Sequence, residues 1–367
     1  MKTASNRDLR DRLLALGRAA RHVVPIATVV LVAVEWNGIP SQPFRDSLAY
    51  QQGASYAQSD QSLYVPLPAP GPHSFVDWPY IYPPPLAALL SLFPPVSYRT
   101  FDRIWLLLNV GAFWAFAASL GRIQAGRWSL GATLTWGAGL FFVPGSLFAI
   151  HFANVEPVIW ALVGTAFAAP ATAGFLLTLA ASIKITPVWP LLALATRLPR
   201  PVVLQAGIGS LLLLAVCVGV FGVDRLVSQS LIWWSQVLPS VAQGQFWGGS
   251  LPQLRQGVGP VAILGNLSLS FAPIQLAVLS GWDYDGGLLP APVRFYLTTV
   301  GVAAPLLVLW LTRAKPPREQ AALVLVAAVL AAPIVRTYVL PLVLLPLALR
   351  MRSRPQQVPA SGPASVR

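Results

Sequence analysis

The chain has 367 residues, 55% of them hydrophobic and only 10% charged, with a mean hydropathy of +0.63. Together with repeated apolar runs of roughly 15 to 20 residues, these values mark a polytopic membrane protein and exclude a soluble core. Lys and Arg number 25 against 12 Asp and Glu, a net charge of +13; in a soluble protein this would suggest nucleic acid, but cations gathered in short membrane loops are a topology signal, so no nucleic-acid partner is expected.

The first apolar run, near 23 to 36, follows a long basic segment and ends in "VEWNGIPSQ" without a small-x-small cleavage site, so it reads as a retained anchor. Residues 37 to 100 are too long and too aromatic for a mere connector. Within them, "SFVDWPYIYPPPLAALLSLFPPVSY" predicts a short surface helix, with Pro83 to Pro85 in its first turn and Pro94 and Pro95 ending it. Further spans are expected near 104 to 120, 129 to 150, 157 to 170, 202 to 222, 295 to 312, 320 to 333 and 338 to 349. Residues 173 to 197 turn back at "KITP": each arm has about a dozen residues where a span needs about 20, and Pro187 with Pro190 breaks the run near Lys184. Residues 1 to 350 thus read as one membrane domain and 351 to 367, rich in Pro, Ser and Ala, as a disordered tail. The lone Cys217 rules out an intramolecular disulfide.

With the N-terminus placed in the cytoplasm, the inner segments collect Arg7, Arg10, Arg12, Arg18, Arg21, Arg122, Arg127, Arg197, Arg200, Arg313, Lys315, Arg318 and Arg350, and among the acids only Asp8, Asp11 and Glu319. The expectation is a multi-pass plasma-membrane protein with both termini cytoplasmic and the 37 to 100 loop outside.

The sequence has no Gly-rich phosphate loop and no serine nucleophile elbow, and His22, His73 and His151 are scattered, so neither metal nor cofactor is expected. Asp283 and Asp285, in "GWDYDGG", read as a solvated turn. What remains is an outward carboxylate, outward cations and many aromatic rings. Glycosyl transfer from a phosphate-linked lipid donor needs those three: a base for the acceptor hydroxyl, positive charge for the leaving phosphate, rings for sugar faces.

Asp46 is the candidate base; an ordinary helix-end charge, or a pair with Arg45, is the plainer alternative. Lys184 at the broken hairpin is a candidate phosphate contact, unless it merely snorkels to the headgroups. Arg336 and Arg255 are further cations for phosphate or lipid headgroups. Glu156 before Pro157 is either a site acid or good helix-start chemistry. Tyr50 shares a helical face with Asp46, and Tyr82 precedes the proline run; both also fit an interfacial aromatic belt. A transporter or flippase of lipid-linked sugars would show outer cations and broken helices too, but the hairpin has no counterpart in a second half. A non-catalytic assembly factor would leave function intact in Asp46→Ala.

"DSLAYQQGASY", "YPPPLAALLSLFPPVSYRTFDRIWLLLNVGAFWAFAASL" and "GFLLTLAASIKITPVWPLLALATRLPR" resemble glycosyltransferase family 87, polyprenyl-phosphate-sugar-dependent enzymes of the GT-C membrane class. The resemblance runs through residues 44 to 200. It is looser beyond, where "GNLSLS" has Leu267 in place of a usual Gln; "FANVEP" has Ala153 where Gln often precedes the Asn. It implies an all-α, GT-C-like fold with about ten membrane-inserted helices and a mannosyltransferase-like activity. In it Asp46 deprotonates an acceptor hydroxyl of an envelope glycolipid or glycan, and the acceptor displaces lipid phosphate from a polyprenyl-phosphate-linked sugar with inversion. Asn154 and Asn266 enter as substrate-binding residues through the same resemblance.

Overall fold

The computed structural model describes residues 2–38, 46–64, 80–143, 145–239, 272–273, 276, 280, 291–332 and 337–351, with side chains from residue 19 onward except at 337 and 338. Every regular element among them is helical. The helices are α1 (Lys2–Gly38), α2 (Ser47–Gln58), α3 (Pro84–Ser91), α4 (Tyr98–Ala125), α5 (Leu130–Phe141), α6 (Ser146–His151), α7 (Glu156–Ala168), α8 (Ala173–Ile183), α9 (Val188–Ala195), α10 (Pro199–Phe221), α11 (Val223–Ile232), α12 (Ala291–Leu311), α13 (Pro317–Ala331) and α14 (Leu344–Arg350).

Local chemistry sets the boundaries. Ser97 caps α4 by accepting the Thr100 amide, and Gly126 ends it at φ 74°, a left-handed conformation that glycine adopts without a Cβ clash. Ser129 caps α5 in the same way through Ala132. The short helix expected there is present as α3, with Pro84 in its first turn and Pro94 and Pro95 just past its end.

The run at 129 to 150, expected as one span, is broken instead: α5 stops at Phe141, Gly145 takes φ 95°, and α6 is a separate short helix. The "PGS" that separates them supplies the reason, since proline and a left-handed glycine interrupt the helical hydrogen-bond ladder. At the other break, Lys184 is extended (φ −146°, ψ 133°) and Pro187 caps α9. Pro190 lies inside the first turn of α9, where its missing N–H costs nothing.

Among the described residues, four helices are long and apolar enough to cross a membrane: Ala19–Gly38 of α1, then α4, α10 and α12. α7 and α8 meet at a 118° bend and together make a broken span or a re-entrant pair. The expected count of about ten therefore appears, among the described residues, as four spans plus short or bent helices. α4 is the central one, with 56% of its apolar window buried, against 17% for α1 and α10 and 11% for α12. Phe113, Phe116 and Leu120 of α4 pack with Trp160 and Phe167 of α7 in the core. The outer faces of α1, α10 and α12 leave Ile26, Val29, Leu204, Leu211 and Trp310 exposed, as lipid-facing helices do.

Candidate active site

The site forms where the start of α2, the first turns of α4, the α6–α7 turn and the end of α8 converge. The Asp46 N–H donates to the Phe152 carbonyl at 2.8 Å, and its carboxylate accepts a hydrogen bond from Asn154 Nδ2. Asn154 cannot turn away freely: its Oδ1 accepts the Glu156 amide at 2.9 Å, which leaves the NH₂ facing Asp46. The Asn154 carbonyl in turn accepts from Asn109 Nδ2 at 2.8 Å. Just before it, Ala153 takes φ 51°, disfavoured for an L-residue by about 1 kcal/mol or more. Trp105 Nε1 donates to the Ala153 carbonyl at 2.7 Å and holds that turn closed.

Asp102, Trp105 and Asn109 lie on one face of α4, at spacings of three and four residues, and all three are buried. Asp102 accepts from the Ser47 hydroxyl, so the same face grips α2 one residue after Asp46. Behind the site, Glu35 at the end of α1 meets His151 Nδ1 at 2.8 Å.

Glu156 and Lys184 form an ion pair across the starts and ends of the bent helices α7 and α8. Glu156 is 1% exposed and the Lys184 side chain 33%. A carboxylate removed from water to that degree requires such a partner, because an isolated buried charge costs several kcal/mol.

An aromatic floor closes the site. The Tyr50 hydroxyl accepts the Val155 amide at 3.0 Å and lies 3.1 Å from the Tyr82 hydroxyl; its ring centroid is 4.9 Å from that of Trp105. Burial, with the nearby Tyr82 and Asp46, holds the Tyr50 phenol well above the usual phenol range, only partly offset by the Val155 N–H. It therefore serves as a neutral hydrogen-bonding group. Tyr64 donates to the Tyr82 carbonyl at 2.8 Å and Tyr80 to the Pro83 carbonyl at 2.9 Å. α11 and the turn after it brace this segment from outside: Arg225 donates to the Tyr56, Ala57 and Gln61 carbonyls, Gln229 accepts the Leu63 amide at 2.9 Å, and Trp233, just past α11, donates to the Ile81 carbonyl at 3.1 Å.

Six of the residues singled out from the sequence thus form one connected set: Asp46, Asn154, Glu156 and Lys184 in a chain of polar contacts, Tyr50 and Tyr82 beside it. Arg255, Asn266 and Arg336 lie outside the described residues, as do Asp283 and Asp285. Asp102, Ser47, Trp105 and Asn109 were missed. For Asp102, Trp105 and Asn109, the spacing in "DRIWLLLN" puts an acid, a tryptophan and an asparagine on one face of an otherwise apolar helix without saying what that face meets; Ser47 carried no such signal. Among the described residues no three His, Cys, Asp or Glu side chains come together as metal ligands.

An acid, an amide and an ion pair, held at one end of a bundle of membrane-crossing helices, define an integral membrane protein with a polar site at its surface. The family model for glycosyltransferase family 87 matches residues 80–335. The chain belongs to that family and is a glycosyltransferase. The match covers Tyr82, Asn154, Glu156 and Lys184 but begins after Asp46, which joins the matched region through Asn154 and Phe152. No curated protein and no solved structure matches the chain.

Proposed function

We propose that the protein transfers a mannose-like hexose or pentose from a polyprenyl-phosphate donor to an envelope glycolipid or glycan, with inversion, on the extracytoplasmic face of the plasma membrane. The observation that carries this reading is the Asp46–Asn154 hydrogen bond. It directs one carboxylate oxygen at a fixed amide while the residue remains partly exposed at the mouth of the bundle.

Asp46 accepts the proton of the acceptor hydroxyl as that oxygen attacks the anomeric carbon; the bond from that carbon to the phosphate oxygen breaks, and polyprenyl phosphate leaves with the electron pair. A single base is enough for this displacement. Lys184 spends one of its three donors on Glu156 and offers the others to the leaving phosphate, whose charge grows as the bond breaks. Arg336 and Arg255 supply further positive charge from the two segments that follow in the sequence, and Asn266 a polar contact. Tyr82, half-buried, lines the side on which a sugar ring would pack, and the fully buried Tyr50 supports it from behind, edge to face. The outward orientation rests on the cation-rich opposite end of the bundle, which favours the cytoplasm.

Asp46→Asn keeps the size and removes the proton acceptor. Turnover is expected to fall by about 10²- to 10⁴-fold with donor affinity nearly unchanged. Lys184→Ala should instead weaken donor binding, its loss shrinking at high donor concentration. Single-turnover rates and donor affinities for both variants check this; near-normal transfer by Asp46→Asn would move the base to another carboxylate, Glu35 or Glu156.

A further inference from the structure

Four successive residues of the α6–α7 turn, 152 to 155, each give one backbone group to another segment. The outer two are taken on the α2 side: the Phe152 carbonyl accepts the Asp46 N–H at 2.8 Å, and the Val155 amide donates to the Tyr50 hydroxyl at 3.0 Å. The inner two are taken by α4: the Ala153 carbonyl accepts from Trp105 Nε1 at 2.7 Å and the Asn154 carbonyl from Asn109 Nδ2 at 2.8 Å. The turn is fixed from both sides, and the side chain it delivers, Asn154, is the one that meets the Asp46 carboxylate.

This differs from an ordinary tie between packed helices in two respects. Where α4 and α7 simply pack, apolar rings do it, Phe116 against Trp160 with centroids 6.3 Å apart. The indole and the amide of α4 reach past that core to two carbonyls of a turn. One of these belongs to Ala153, at φ 51°, and an L-residue stays in such a conformation where its surroundings hold it there. Secondly, Asn109 Oδ1 is buried with no hydrogen-bond partner among the described residues. An amide kept for stability would have both ends matched, because an unmatched buried acceptor is destabilising. What this amide secures is the position of one carbonyl, that of Asn154.

On the reading of Asp46 as the base, we infer that Trp105 and Asn109 are its positioning residues. Buried themselves, they touch neither donor nor acceptor; they act through the carbonyls of Ala153 and Asn154 to hold Asn154 Nδ2, and with it the Asp46 carboxylate, in one orientation toward the acceptor hydroxyl. A reacting group misplaced by about 1 Å loses about 10²-fold in rate while substrate still binds, so the effect belongs in kcat and not in KM.

The full chain in detergent is assayed with polyprenyl-phosphate mannose, or polyprenyl-phosphate arabinose where the wild type prefers it, and an envelope glycolipid extract as acceptor. Trp105→Phe removes the N–H and keeps a ring; Asn109→Leu removes the other donor at similar size. Each should lower kcat by about 10- to 100-fold with the donor KM within about twofold of wild type. Trp136→Phe is the control: its Nε1 donates at 2.8 Å to Gln124 Oε1, about 28 Å along α4 from Trp105, and losing this bond should leave kcat unchanged. Ala153→Gly added to Trp105→Phe should recover most of the loss, since glycine adopts a positive φ without the indole's help; a loss due to missing ring volume beside Tyr50 would stay. Near-normal kcat in Trp105→Phe beside an inactive Asp46→Asn overturns the inference and leaves the base assignment standing, whereas near-normal transfer by Asp46→Asn overturns both. An equal loss in Trp136→Phe, or no recovery in the double variant, also overturns the inference. If Trp105→Phe does not fold, Asn109→Leu decides: lower kcat at unchanged KM supports the positioning role, and any other outcome overturns it.

Discussion

Two glutamate–lysine pairs stand at opposite ends of this molecule and do different things. Glu156 and Lys184 meet at the end that carries the candidate site, the acid 1% exposed and the lysine held at a break between helices. Glu319 and Lys315 meet at the far end at 3.2 Å, 21% and 48% exposed, four residues apart on either side of the α13 start. The same chemistry is a tertiary bond in one place and a screened surface contact in the other. The difference is water: desolvation makes the first pair obligatory and solvent makes the second nearly optional.

The largest expected effect on stability follows from separating the buried pair. Glu156→Ala leaves the Lys184 ammonium without its carboxylate and takes a polar partner from the α7 start, so about 3 kcal/mol of stability should go, somewhat below the full buried-pair cost because Lys184 is one-third exposed. Glu156→Leu with Lys184→Met should recover much of this stability while transfer stays lost, since the apolar pair packs but binds no phosphate. Denaturation of the single and double variants, read beside transfer rates, checks both; recovery of transfer in the double variant would remove Lys184 from the phosphate site.

Gly53 offers a second contrast, of packing rather than charge. A Cβ there would lie 2.5 Å from Tyr80 Cδ2, so Gly53→Ala should cost about 1 to 3 kcal/mol by forcing the ring out of the aromatic floor. Gly111 on α4 has nothing within 4 Å of such an atom, and Gly111→Ala should be neutral or stabilising through helix propensity. Thermal unfolding of the two variants side by side measures the difference.

Tyr50→Phe keeps the ring and removes the acceptor of the Val155 amide, for an expected loss of about 1 to 2 kcal/mol. The same phenol predicts a pH effect. Its folded pKa is raised, as are those of Tyr64 and Tyr80, through burial. Their contribution is therefore complete below the unfolded phenol range near pH 10 and declines as pH rises above it. A stability–pH curve for the wild type should fall on that alkaline limb, and less steeply in Tyr50→Phe. Smallest of all, Glu319→Ala should change stability by less than about 1 kcal/mol, an effect that salt abolishes.

The amino-acid sequence alone determined the membrane class, the short proline-started α3, the spans at α4, α10 and α12 and the break at Lys184, because each depends on local quantities: apolar length, proline geometry, capping side chains. It also marked Asp46, Tyr50, Tyr82, Glu156 and Lys184 as chemically unusual in an apolar chain, and Asn154 entered through the resemblance to a family. Only the tertiary structure decided that they meet. Asp46 and Asn154 are 108 residues apart and Glu156 and Lys184 are 28 apart, and no helical or strand period encodes pairings over such separations. Asp102 and Asn109 went unread for the same reason: on a 28-residue apolar helix a polar residue facing lipid and one facing Ser47 or Asn154 look alike until the neighbouring helices are in place. The break inside 129 to 150 shows the opposite limit, where a mean of apolarity over a long window outweighed the adjacent proline and glycine of "PGS", of which Gly145 takes φ 95° between the two helices.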